Sequence, residues 1–443
     1  MRWMLSVILM FSIFQVRAQS LLTLDDAISA ALKNNYDIIL AKNDSAVAAL
    51  DYSYRNAVFL PRINGTLGTN WTNNNQKQEF AAGNNREGNV ATDNIAAAIN
   101  LNWTLFDGLK MFVTRNKAEE YIKLGELEIK NQVINTIAEV VNTYYNIVRQ
   151  KQQLKAVEEQ MSISQTRVDL SQRKLEIGVG AKPELLQSQV DLNAQKAAQL
   201  QQLTVIIQLK DQLNHLINPP RANEPSGAIS TDYEVSDSIP INTLITLDEI
   251  QSGLVNGSPL LGLAQKNVEI AGLELKELKA DRYPIIQFNG AYNFSRTNNN
   301  IALNPALPIF NRNQGLNYGF TATIPILNYR NTTRLIHQAE LNIGFQQVLY
   351  DNQKALLRLD VLTAYHDYVL EKQSLDLEED NILLAHENVN IILELYRLGS
   401  ATYLQLREAQ KSLEDAYNRL IAARYNTKLA ETQLLRLKGE IVR

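Results

Sequence analysis

The 443-residue chain contains no cysteine, which excludes disulfides, thiolate nucleophiles and Cys-based metal sites. Proline and glycine are scarce, at 11 and 19, so long uninterrupted elements are expected. The 43 Lys and Arg balance 47 Asp and Glu, leaving none of the basic excess that nucleic-acid binding requires. There are four histidines, His215, His337, His366 and His386, and no two have metal-ligand spacing. Along one helix the last two would lie roughly 30 Å apart. No Gly-rich phosphate loop follows a strand, and no activated-nucleophile pattern occurs. The sequence therefore reads as non-enzymatic and without a cofactor. After residue 18 there is no run of apolar residues long enough for a transmembrane helix.

The N-terminus is a targeting segment. Arg2 forms a positive n-region, Trp3 to Phe14 an apolar h-region, and Val16-Arg17-Ala18 a cleavage site. Residues 1–18 are expected to be a secretory signal. No Cys follows the h-region, so lipid attachment at the new N-terminus is excluded.

What remains is written twice. Leu24-Asp25-Asp26 is matched by Leu247-Asp248-Glu249, and Pro61 by Pro284, both at an offset of 223. Tyr144, Gly178 and Gln189 are matched by Tyr365, Gly399 and Gln410 at 221. A unit of this length is no solenoid repeat, so each copy is a structural half. The expected halves are residues 19–217 and 242–443, joined by a linker at 218–241.

Each half opens with a helical run. Leu24, Ala27, Ile28, Ala31 and Leu32 line one face over Leu22–Leu60, and Pro61 ends the pattern. The period then falls to 2. Ile95, Ile99, Leu101, Trp103 and Leu105 alternate with Asn94, Ala98, Asn100, Asn102 and Thr104. Ile63–Trp71 alternates more weakly. Ile286–Ser295 and Leu316–Ile326 repeat the pattern in the second half. Four strands of about ten residues are expected, each with an apolar face and an uncharged polar face. That is the pattern of transmembrane β-strands. A half-buried sheet in a soluble sandwich gives the same alternation, but its wet face would usually carry charge. Thr72–Asp93 and Arg296–Gln314, rich in Asn, are expected to be loops. Four strands cannot close a barrel, and an open edge is forbidden in lipid. If these strands span a membrane, several chains must share one barrel.

Helical character then runs unbroken from Phe106 to Ile177 and from Leu327 to Leu398. Each helix would be on the order of 100 Å long. Each breaks at a glycine, Gly178 or Gly399, and a second helix returns. In the second return helix Leu406, Leu413, Leu420 and Leu434 hold one heptad position. Ala409, Ala416, Ala423 and Ala430 hold another, and Thr427 is the only departure in the leucine series. Such spacing specifies a left-handed supercoil with closely approaching axes.

The duplicated opening (TLDDAISAALKNN, TLDEIQSGLVNGSP), the strand-to-helix passage WTLFDGLK and the return YRLGSATYLQLREAQKSLEDAYNRLIAARYN resemble the TolC-type outer-membrane efflux family. The resemblance covers Leu22 to Gly439. It implies a mostly α-helical chain with membrane β-strands, assembled as a homotrimer. Each chain would give four strands to a shared twelve-stranded barrel, continued by a periplasmic α-helical barrel. The implied function is an outer-membrane exit duct served by an inner-membrane transporter through a periplasmic adaptor. The resemblance assigns adaptor docking to the hairpin tips, Gly178, Val179, Gly180 and Ala181 with Gly399, Ser400, Ala401 and Thr402. It assigns a periplasmic constriction to Glu184, Gln187, Tyr396, Gln405 and Glu408, with Tyr396 able to bond across to Glu184. Gln187 and Gln405 stand where the family often has acidic residues, and Ala401 where it can have a basic one. The competing reading is a non-channel coiled-coil adaptor or scaffold, for which no strand need enter a membrane. The exported substrate and the partner pump are not encoded in these patterns.

Overall fold

The computed structural model describes residues 20–79, 81, 83, 85–217, 233–302 and 308–441. The expected signal segment lies outside them, as does most of the linker. The chain forms two compact units. One comprises Met1–Asp44, Glu126–Leu263 and Asp351–Arg443, the other Ser45–Gly125 and Ala264–Tyr350.

The duplication is visible element by element. Helix α1 (Leu24–Asn34) starts at Thr23, whose side chain accepts from Asp26 N, and α2 (Tyr36–Ser53) follows. The single helical run expected over Leu22–Leu60 is thus broken. Asn35 sits in extended backbone with its Oδ1 accepting from Asp37 N and Ile38 N. Its Nδ2 donates to Leu216 O. An amide side chain that bonds its own backbone competes with the helix ladder. After strand β2 (Arg62–Gln78) and strand β3 (Arg86–Phe106) come α3 (Lys110–Glu176) and α4 (Lys182–Ile217). The second copy supplies α5 (Leu247–Gly257), α6 (Pro259–Ala280), β5 (Ile285–Asn299), β6 (Phe310–Thr323), α7 (Asn331–Arg397) and α8 (Tyr403–Lys438). Two short strands, β1 (Ser20–Leu22) and β4 (Tyr233–Val235), pair in parallel.

In the first unit, α3 contributes Ile137, Val140, Tyr144, Ile147 and Val148 to a core shared with Leu209, Leu213 and Leu216 of α4 and with Ala27 and Ala31 of α1. The heptad pattern of α8 is buried as well. Leu406, Leu413, Leu420 and Leu434 are core residues, as are Ala409, Ala416 and Ala423. Thr427 is fully buried and returns its hydroxyl to Ala423 O at 2.7 Å, so the one polar residue of the series is satisfied within its own helix.

The second unit holds an antiparallel sheet in the order β2-β3-β5-β6. Its register aligns the apolar positions of all four strands. Gly65, Ile99, Tyr292 and Leu316 form one row, and Ile63, Leu101, Gly290 and Tyr318 the next. Directly opposed residues share a face, so this face is apolar in continuous rows. The other face carries Asn64, Asn100, Ala291 and Asn317 in one row. The outer edges of β2 and β6 have no partner strand among the described residues.

The strands exceed the expected ten residues, reaching 17, 21, 15 and 14. Most of Thr72–Asp93, read as a loop, is strand, and so are both ends of Arg296–Gln314. The apolar alternation stops, but pairing continues through polar cross-strand bonds. Thr92 Oγ1 donates to Asn299 Oδ1 at 2.7 Å, and Asn94 Nδ2 to Thr297 Oγ1 at 2.9 Å. Strand β6 ends at Thr323 rather than Ile326, because Pro325 has no N–H for a ladder. No helix of the described residues is long and apolar enough to cross a membrane.

Candidate functional site at the hairpin ends

Both hairpin ends are built on left-handed glycines. Gly178 has φ 79° and Gly399 φ 76°. The N–H groups that follow turn back onto the helix: Val179 N donates to Lys174 O, and Ser400 N to Leu395 O. This satisfies carbonyls left open by the helix end. Gly180 is required for another reason, since a Cβ there would lie 2.7 Å from Leu175 N. The second turn restarts differently. Thr402 and Gln405 form a capping box, each side chain serving the other's backbone N–H. Ile177, Val179 and Leu398 stand at the ends more than 70% exposed (73%, 74% and 78%). Gly178, Ala181, Gly399, Ser400 and Thr402 are also exposed, while Gly180 and Ala401 are half-buried.

Behind the tips lies a polar cluster. Tyr396 of α7 is 1% exposed. Its hydroxyl donates to Glu184 Oε1 of α4 and lies 3.1 Å from Ser171 Oγ of α3. Ser171 Oγ is 3.4 Å from Ser188 Oγ. Lys174 Nζ sits 3.5 Å from the Tyr396 ring centroid and donates to Tyr396 O at 3.0 Å. Burial, reinforced by the bond to Glu184, pushes the Tyr396 hydroxyl up to about 12. The tyrosine hydroxyl is therefore a neutral donor at physiological pH.

A second cluster centres on Arg167 of α3, 2% exposed. Its Nη2 donates to Asp191 Oδ2 of α4 at 2.7 Å, and its Nη1 donates to Gln410 Oε1 of α8. Asp191 also accepts from Tyr403 Oη and from Gln187 Nε2, each at 2.9 Å. Arg407 Nε lies 3.7 Å from the same carboxylate. Burial, then the bond to Asp191, raises the Tyr403 pKa. One carboxylate thus gathers donors from both hairpins. Arg167 Nε and Gln410 Nε2 lack a hydrogen-bond partner among the described residues.

Of the residues expected at the constriction, the structure brings Glu184 and Tyr396 together and places Gln187 beside the Arg167 cluster. Gln405 is occupied by its cap. Glu408 is exposed, and neither a hydrogen bond nor an ion pair involves it among the described residues. Sequence reasoning missed Arg167, Asp191, Ser171, Lys174, Ser188, Tyr403 and Gln410. A usable signal existed for the first hairpin. Arg167 and Asp191 lie symmetrically about Val179, as Lys174 and Glu184 do, and positions equidistant from a helical turn face one another.

The in-register apolar face and the paired helical hairpins define a subunit of an outer-membrane channel. The chain belongs to the outer membrane efflux protein family, whose model matches residues 27–218 and again 252–440. Among solved structures it is similar to the outer-membrane channel OprN (TM-score 0.75, 15% identity, 94% of this chain and 90% of that one). It is also similar to the outer membrane protein VceC of Vibrio cholerae (0.75, 14%, 94% and 96%) and to the CmeC outer membrane channel of Campylobacter jejuni (0.73, 16%, 94% and 86%). At these identities the likeness is one of fold. No curated protein matches the chain by sequence.

Proposed function

We propose that the protein is the passive exit duct of a tripartite efflux or type I secretion system. It works as a homotrimer in the outer membrane, with its helical hairpins in the periplasm. A periplasmic adaptor joins it to an energised inner-membrane transporter. The observation that carries this reading is the sheet: among the described residues, four strands with one continuous apolar face and two open edges. Such edges need partners in lipid. Three copies give twelve strands, within the range of closed barrels.

In this reading the chain acts as two repeats, 19–217 and 242–443, joined by 218–241, after loss of the signal at 1–18. The exposed apolar tip residues Ile177, Val179 and Leu398 fit adaptor docking. The Tyr396–Glu184 and Arg167–Asp191 clusters fit a closed periplasmic end, because both tie the first hairpin to the second. A non-channel coiled-coil scaffold leaves the apolar sheet face without a role. The family's role is transport, and no catalytic activity is assigned.

Planar bilayers test the duct directly. The purified trimer should conduct ions; absence of conductance together with solubility in detergent-free buffer would sink the channel. Replacing Gly399 by Trp should block export while leaving the trimer intact, and sustained export would remove docking from that tip.

A further inference from the structure

The apolar face of the sheet ends in a pair of like charges. Arg296 of β5 and Arg312 of β6 are direct cross-strand partners, and both are exposed. Directly opposed like charges repel and weaken a sheet. These two are nevertheless held side by side. The Arg296 guanidinium lies 5.6 Å from the Phe310 ring, and the Arg312 guanidinium 5.4 Å from the Phe294 ring. The rings thus fix the two cations crosswise. Neither guanidinium has a carboxylate partner among the described residues. Among the described residues the one hydrogen bond at this pair is Arg312 Nη2 to Gln314 Oε1 at 3.3 Å.

The register fixes their depth. The row through Trp103, Phe288 and Phe320 marks the end of the face near the helices. The row through Trp71, Asp93, Asn298 and Phe310 marks the far end, and the Asp93 carboxylate in it makes no ion pair with either arginine among the described residues. Ten residues of β3 separate those rows, roughly 34 Å along the strand. At a tilt of about 40° that becomes about 26 Å along the membrane normal, close to the ≈ 25 Å apolar band of a barrel between its aromatic girdles. Arg296 and Arg312 occupy the row just inside the far girdle. From there a long side chain reaches the headgroup level with its stem in the apolar layer.

We infer that Arg296 and Arg312 form an anion site for the phosphate of an outer-leaflet lipid. This rests on the barrel reading above. Two guanidinium forks at one level match a phosphate group, which accepts several charge-assisted bonds and relieves the mutual repulsion. Charge complementarity selects the occupant: a glycolipid whose sugar headgroup carries phosphate and whose acyl chains lie on the neighbouring apolar rows.

The test is native mass spectrometry of the detergent-solubilised trimer titrated with diphosphoryl lipid A, and with the same lipid stripped of phosphate. The wild type should retain the phosphorylated form, and R296Q/R312Q should bind it about tenfold or more weakly. R296K/R312K, which keeps the charge but loses the forks, should fall between. Inorganic phosphate at equal concentration should not displace the lipid. Equal retention by wild type and R296Q/R312Q, indifference to phosphate removal, or displacement by inorganic phosphate would each overturn the site. Conductance in planar bilayers is read on the same samples. Loss of conductance in the wild type would instead fault the barrel reading.

Discussion

The two hairpins have helices of identical length, 67 and 36 residues in each copy, yet their ends are chemically unlike. At equivalent positions Arg167 is replaced by Asn388, Ser171 by Ile392, Lys174 by Leu395, Glu184 by Gln405, and Ser188 by Ala409. The first hairpin keeps the charges and hydroxyls. The second supplies Tyr396, Tyr403 and Gln410, which reach across to them. Two identical polar hairpins would set like charge against like. Divergence lets the charged groups of the first hairpin bond to neutral tyrosine and glutamine groups of the second, with donors and acceptors on both sides. Duplication accounts for the scaffold, and the departures from it make the site.

The comparison breaks most severely at Arg167. Its replacement by Ala leaves Asp191 only Tyr403, Gln187 and the more distant Arg407, so the loss should approach but not reach the about 3–5 kcal/mol of a fully stranded buried partner. Thermal unfolding of the trimer should show the loss, and bilayer recordings a higher resting conductance. R167M/D191L, which removes both charges, should recover most of the stability.

Tyr396→Phe comes next. It removes the donor to Glu184 and should cost about 1–2 kcal/mol, again with increased resting conductance. Alkali should produce the same opening in the wild type. The Tyr396 pKa is raised from 10.0 to about 12, so its contribution is complete below pH 10 and is lost as pH rises through about 12. Y396F should lack that step. A wild-type conductance that rises between pH 6 and 9 would point to another group.

At the turns, Gly180→Ala should disrupt the first hairpin more than Gly178→Ala, because its new Cβ meets backbone at 2.7 Å whereas Gly178 faces open space. The latter carries only the left-handed penalty of about 1–2 kcal/mol. Hydrogen exchange over residues 174–182 ranks the two.

The smallest effect is expected at Glu408. Its replacement by Ala should leave stability within about 0.5 kcal/mol while lowering cation selectivity if its side chain lines the duct. Glu184→Ala should alter both. Unchanged selectivity in both variants would remove them from the constriction.

Much of this was legible in the sequence because it depends on local rules. The absence of proline over Phe106–Ile177 and the pairing of Gly178 with Gly399 gave helices and turns within a few residues. The strand lengths were not legible. Beyond Trp71 and Ile95 the backbone ladder continues through residues rich in Asn and Thr, which carry no hydrophobic period. The break at Asn35 combines local bonds to Asp37 N and Ile38 N with one to the carbonyl of Leu216, 181 residues away, and no local pattern contains the last. The Arg167 cluster was hidden for a similar reason. Each of its members reads as an ordinary polar residue on a helix until the hairpins are laid together.

The pairing of β1 with β4 has a consequence for the order in which the chain assembles. Ser20–Leu22 begins the described chain, yet its partner Tyr233–Val235 emerges only after both helices of the first hairpin. Tyr144 Oη, in the core of α3, donates to Leu22 O and accepts from Ser236 N at 3.2 Å. Lys210 of α4 donates to Tyr233 O at 2.6 Å. The three-residue ladder closes a loop that spans the whole first repeat, and such non-local contacts form slowly because the chain between them must be ordered first. Protection of the Leu21–Leu22 amides should therefore appear late in refolding, after that of Ile137–Val148. The strand pair acts as a latch that engages only on a finished hairpin.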